Sequence, residues 1–193
     1  MAANNGRATV GRCSRAGLMA LALLLNGAAG PQPGAPRSGH DWKIFRDASK
    51  GFSFSYPATY TAKTGCHASR NCVAILLGQR EVNDYVLAFE VFPGGLEQTA
   101  TEMAQFQLKS GHWVAIGRMS EHPAERVDGQ GWHGLQAVVD CGVSDSSGLR
   151  GAGECLRAVL SNDRISVVAD TPGNAPITAE IYSIIQSVRL PHR

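Results

Sequence analysis

From residue 41 onward, apolar side chains recur mostly with a period of two, and with a helical period only twice. Phe52, Phe54 and Tyr56 alternate with Ser53 and Ser55, the signature of a strand with one apolar face, and Pro57 stops it. A short strand precedes it around Trp42 to Asp47. Cys72 to Leu77 is unbroken apolar sequence, and Tyr85 to Phe92 carries Tyr85, Leu87, Phe89 and Val91 on one side, so both read as interior strands. Pro93, Gly94 and Gly95 break the pattern. A helix is predicted from Glu97 to about Lys109, with Ala100, Met103 and Ala104 inward and Glu97, Gln98 and Gln105 outward.

Strands resume at about 112 to 119, 124 to 127, 131 to 140, 154 to 161 and 164 to 170, with turns at Asp128-Gly129 and Asn162-Asp163. The last element is a helix. Ile177, Ile181, Ile184, Ile185 and Val188 fall at offsets 0, 4, 7, 8 and 11, one face of a 3.6-residue period, with Asn174 or Thr171 as the expected cap and Pro176 in the first turn. An antiparallel β-sheet flanked by two helices is an α+β sandwich.

The first 40 residues follow neither period. Arg7, Arg12 and Arg15 precede a ten-residue apolar run, Ala16 to Leu25, that ends in Gly27, Ala28 and Ala29. That order of charged, apolar and small residues is an export signal, with cleavage expected after Ala29. The run is too short to cross a bilayer, which needs about 20 residues in a helix, and no membrane span is expected after cleavage. Cys13 lies ahead of the run, so no cysteine is placed to carry a lipid at the cleavage site. Residues 30 to 40 hold three prolines and three glycines and read as a flexible linker. A single domain is then expected over 41–193.

Removing the three signal arginines takes the 18 basic residues to 15, against 16 acidic, so the net charge moves from +2 to near −1. The basicity belongs to the signal. A nearly neutral chain without a Lys/Arg cluster offers no electrostatic case for nucleic acid.

Export also changes the cysteine count. Without Cys13 there remain Cys66, Cys72, Cys141 and Cys155, an even number in a compartment where disulfides persist. Four cysteines allow three pairings. Proximity along the chain favours Cys66 with Cys72 and Cys141 with Cys155. A metal site using Cys66, His67 and Cys72 matches no standard zinc spacing and has no evident fourth ligand, so no metal is expected.

Candidate chemistry is sparse. Ser144-Asp145-Ser146-Ser147-Gly148 is a serine cluster without a nucleophile-elbow pattern, and its composition is that of a solvated loop. His112, His122 and His133 are ten and eleven residues apart, with no spacing that sets two ligands on one face. Gly129-Gln130-Gly131 and the glycines from Gly148 to Gly153 lack the strand-loop-helix context of a phosphate cradle. No catalytic residue and no cofactor follow from these patterns. His112-Trp113 and Trp132-His133 stand out, each near the start of a predicted strand. Trp113, Trp132 and His133 are the candidate ligand-binding residues, since an aromatic body with a polar tip suits a binding surface; strand-end aromatics closing the core is the plainer alternative.

The segment Gly51-Phe52-Ser53-Phe54-Ser55-Tyr56-Pro57, with the closing run Ile184-Ile185-Gln186-Ser187-Val188-Arg189-Leu190, resembles the PsbP-like family, named for an extrinsic protein of photosystem II and including bacterial exported members. A Ran-binding nuclear import factor shares its fold. Tyr60 stands where the family often has tryptophan. The element order over residues 42 to 190 agrees with the family, whereas the four cysteines are not part of its pattern. The resemblance implies a PsbP-like α/β sandwich serving as a binding, accessory or assembly module, with no shared catalytic constellation to carry over.

The expected function is therefore an exported, non-catalytic binding or accessory protein of the bacterial cell envelope, periplasmic or secreted. Its partner would be a protein or envelope component. A secreted hydrolase with an unrecognised site and a small-ligand carrier are the alternatives. A pocket of converging Ser, His and acidic side chains would favour the hydrolase, an apolar cavity the carrier, and a closed core with an exposed apolar patch the accessory role.

Overall fold

A computed structural model of the protein describes residues 41–66, 69–77, 85–144 and 150–191. The expected signal and linker, His67, and all of the Ser144 to Gly148 cluster but Ser144 lie outside the described residues.

β1 (Trp42–Asp47) and β2 (Phe52–Pro57) pair as an antiparallel hairpin. Asp47 closes its turn, accepting hydrogen bonds from the Ser49 backbone N–H at 3.0 Å and from Lys50 Nζ at 2.7 Å. β3 (Tyr60–Thr64), β4 (Cys72–Leu77) and β5 (Tyr85–Pro93) begin the main sheet. After α1 (Leu96–Met103), a small sheet forms from β6 (Phe106–Lys109), β7 (His112–Ile116) and β8 (Glu121–Pro123). β9 (Glu125–Gly129), β10 (Trp132–Ser144), β11 (Arg150–Ser161) and β12 (Ile165–Asp170) complete the main sheet, and α2 (Ala179–Gln186) ends the chain. The main sheet has seven strands in the order β3-β4-β5-β12-β11-β10-β9, every pair antiparallel.

Strand alternation sorts the core onto two faces. On one, Leu87, Phe89, Leu156, Ala158, Leu160, Val167 and Ala169 meet Phe52 and Phe54 of β2 and Ile181, Ile184 and Ile185 of α2. Phe54 and Phe89 lie with ring centroids 4.7 Å apart, and full burial of each such side chain stabilises the fold by about 1.5–3 kcal/mol. On the other face, Leu135, Ala137, Val139 and Val159 pack against Leu96 and Ala100 of α1 and Phe106 and Ala115 of the small sheet. Further along that face, Ala74, Leu76 and Ala88 lie under the Cys66–Cys72 bridge. The two helices thus cover opposite faces, and the fold is an α+β sandwich.

The two motif-bearing ends of the domain are physically joined. Ser53 and Arg189 exchange backbone hydrogen bonds at 3.1 and 2.8 Å, and Ser187 Oγ accepts one from the Ser55 N–H at 2.8 Å. Between them, Trp132 Nε1 donates to the Val188 carbonyl at 2.8 Å.

Several elements depart from the sequence expectation. The first helix ends at Met103, because Gln105 takes a positive φ of 55° and the chain turns into β6. Phe106–Lys109 is therefore strand, and Met103 is exposed. Tyr60–Thr64 and Glu121–Pro123 are strands where none was predicted. The β9–β10 turn falls on Gln130-Gly131, one pair later than Asp128-Gly129, with Gly131 at φ 80°. Thr178, and neither Asn174 nor Thr171, stands at the start of α2. Thr171 instead accepts a hydrogen bond from the Leu156 N–H at 2.8 Å through Oγ1. Tyr85 lies on the face opposite Leu87, because a bulge opposite Ile75 and Leu76 switches the alternation.

Candidate functional site

One disulfide ties the β3–β4 connection to the start of β4, and the other cross-links two neighbouring strands. Cys66 joins Cys72 across the β3–β4 connection, with Cα atoms 5.1 Å apart, and Cys141 joins Cys155 between β10 and β11 at 5.9 Å. Neither cysteine pair is available for metal or for thiol chemistry. Among the described residues no group of three or more His, Cys, Asp or Glu side chains is arranged to hold a metal ion.

One serine, one histidine and one aspartate do converge, in a place the sequence did not mark. Ser120 Oγ lies 3.0 Å from His122 Nε2 and donates to Asp140 Oδ1 at 2.8 Å, while His122 Nε2 is 2.5 Å from the same oxygen. Asp140 Oδ2 accepts the Met119 N–H at 2.5 Å, and the Asp140 carbonyl accepts the Arg118 N–H at 2.8 Å. Hydrogen bonds from His122 and Ser120 hold the Asp140 carboxyl well below the usual carboxylate range. A relay needs the acid on one ring nitrogen and the nucleophile on the other. Here both use Nε2. The arrangement anchors the β7–β8 loop to β10.

The tryptophan and histidine candidates separate by strand parity. Trp132 faces the α2 side, 4% exposed, with its N–H bound to Val188. Gly129 opposite lets the indole fold over the backbone, since a Cβ there would overlap the ring. Trp132 therefore takes the core role. His133, one residue on, lies on the other face, with Asp128 as its register partner and Asp163 Oδ1 3.3 Å from its Nε2.

Trp113, half-buried against the α1-side core, meets His133 across an open cleft. Three such clefts adjoin. One is walled by His112, Trp113, His122 and Arg126, with a volume of about 630 Å³. The next, about 360 Å³, shares Trp113 and Arg126 and adds Gln98, His133 and Asp163. The third, about 650 Å³, shares His133 and Asp163 and reaches Pro191. Each lies within the roughly 300–1,000 Å³ of small-molecule sites, and together they make a groove from the β9 edge across the end of the sheet to the β11–β12 turn. Arg126 was not marked in the sequence, and Asp163 only as a turn residue. Arg126 pairs with Leu135 in register, so its place beside Trp113 depends on how the small sheet docks.

Beneath that docking, Arg157 Nη1 donates to the Ile116 carbonyl at 3.0 Å, and Asp170, its register partner, accepts from Tyr85 Oη at 3.1 Å. Burial pulls the Arg157 guanidinium below its ordinary value, and burial together with Asp170 pushes the Tyr85 phenol up. These groups brace the face.

No family model matches the chain, and no curated protein matches it. Among solved structures, the chain is similar to the solution structure of cyanobacterial PsbP (CyanoP) from Synechocystis sp. PCC 6803, with 13% identity and a TM-score of 0.45, over 84% of this chain and 100% of that one. It is also similar to a crystal structure from Bacteroides thetaiotaomicron VPI-5482, with 11% identity and a TM-score of 0.44, over 72% of this chain. The chain spans 45% of the length of that second structure. At these identities the likenesses concern fold and transfer no partner or activity.

Proposed function

We propose that this chain is an exported, non-catalytic binding protein of the cell envelope that engages its partner through the groove lined by Trp113, Arg126, His133 and Asp163. The observation that carries the reading is a chain of three adjoining clefts, two of them sharing Trp113 and Arg126 and two sharing His133 and Asp163. A carrier would need an enclosed apolar space, and the space between sheet and α2 is filled by Ile181, Ile184 and Ile185, each at most 1% exposed. Two disulfides support an oxidising compartment. Among the described residues no helix is long and apolar enough to cross a membrane.

The test is site-specific photo-crosslinking in the native envelope. A crosslinker at His133 should give a discrete adduct, and one at exposed Thr64 on the opposite sheet edge should not. Equal labelling from both positions, or none from His133, would remove this reading.

The convergence of Ser120, His122 and Asp140 gives the hydrolase alternative its own measurement. A serine-directed fluorophosphonate that labels the exported protein, with labelling lost in Ser120→Ala, would favour it. Labelling should not occur, because His122 presents one nitrogen to both partners.

A further inference from the structure

We propose that the groove at the β9 edge is a glycan site that takes an uncharged, hydroxyl-rich oligosaccharide across Trp113; this rests on the binding reading above and names its ligand. The argument begins with what the groove offers. Trp113 lines two of the three clefts, and its indole N–H has no hydrogen-bond partner among the described residues, unlike that of Trp132. The Arg126 guanidinium, shared by the same two clefts, is exposed and also has no partner among the described residues. His133 and Asp163, 3.3 Å apart, continue the polar lining into the third cleft.

Sugars match this combination. A pyranose ring presents an apolar C–H face that packs on an indole, and a rim of paired hydroxyls that both donate and accept. The planar Arg126 guanidinium, with its fork of N–H donors, suits neighbouring hydroxyls on one ring, and the His133–Asp163 pair extends the planar polar lining beside it. The charges argue for an uncharged ligand. Arg126 is offset by Asp163 and Glu97 within one cleft, so no single sign of potential is focused there to select an ion. An apolar ligand would leave Arg126 unpaired, and a polyanion would face Asp128, Asp163 and Glu97 along the same groove.

Length follows from geometry. Three adjoining clefts exceed what one sugar would fill, so a chain of several units should bind better than a monosaccharide. The groove is open, and affinity should be modest, with a dissociation constant of about 0.1–1 mM for a hexamer.

The test is titration of the purified exported protein with cellohexaose, maltohexaose and chitohexaose, followed by calorimetry and tryptophan fluorescence. At least one should bind, at least about tenfold more tightly than its monosaccharide, which is about 1.4 kcal/mol. Arg126→Ala, an exposed change that spares the core, should weaken it at least fivefold. Trp113→His should weaken it as well, and Thr64→Ala, exposed on the opposite sheet edge, should not. Failure of all three sugars to bind at about 10 mM, or binding indifferent to Arg126→Ala, overturns the glycan site. If the His133 crosslink still captures a protein, the binding reading stands without it; if neither occurs, both fall.

Discussion

The indole of Trp132 satisfies the carbonyl of Val188 just past α2, where no strand supplies a donor. Trp132→Phe keeps most of the apolar volume and leaves that buried carbonyl unpaired, so we expect a loss of about 1–3 kcal/mol in denaturant unfolding. Asp140 makes a different kind of contribution, one that depends on pH. Its carboxyl, held by His122 and Ser120, has a folded-state value below that of an ordinary aspartate, near 3.9. The contact therefore stabilises the fold fully above that pH, and the stabilisation is lost as pH falls and the folded-state carboxyl protonates. Asp140→Asn should flatten the fall in stability between about pH 5 and pH 2, and a slope unchanged from the wild type would remove the anchor role.

The elements show which signals local sequence carries. The alternation of Phe52 and Phe54, the apolar run Cys72–Leu77 and the isoleucine stripe of α2 were legible because each is one period set against one face of the core. β6 was not. Its residues continue a helical pattern, and the turn out of α1 rests on Gln105 at positive φ, which has no composition signal. The Ser110-Gly111 turn, at φ 50° and 83°, was the available clue to the β6–β7 hairpin. The groove was half legible. Trp113 and His133 stand out as residue types, but Arg126 and Asp163 join them only through strand pairing and docking, as do Ser120, His122 and Asp140. The long β10–β11 hairpin yields a further expectation. Its Cys141–Cys155 bridge closes a loop of sequence separation 14, and replacing both cysteines by alanine should cost about 3 kcal/mol on the chain-entropy estimate. Peptide mapping that joined Cys66 to Cys141 or Cys155, or free thiol in the intact mass, would overturn the pairing.

At the scale of the whole molecule, the proposed export makes a prediction about the mature terminus. N-terminal sequencing of protein from the envelope fraction should begin near Gly30, and a chain that still carried Arg7 would contradict export by cleavage.

The order of strands has a consequence for when the molecule can exist. β5 is completed in the sheet by β12, with Val91 opposite Val167, and Ser53 is bridged to Arg189. A chain emerging N-terminus first has made its first five strands long before these partners arrive, and such distant pairings close slowly. Until β12 (Ile165–Asp170) has emerged, β5 presents an unpaired apolar edge, open to any other strand in reach, and the Ser53 bridge waits longer still, for Arg189. The hazard is thus one of timing: the sheet stays unfinished, and prone to wrong partners, until β12 and then Arg189 are delivered.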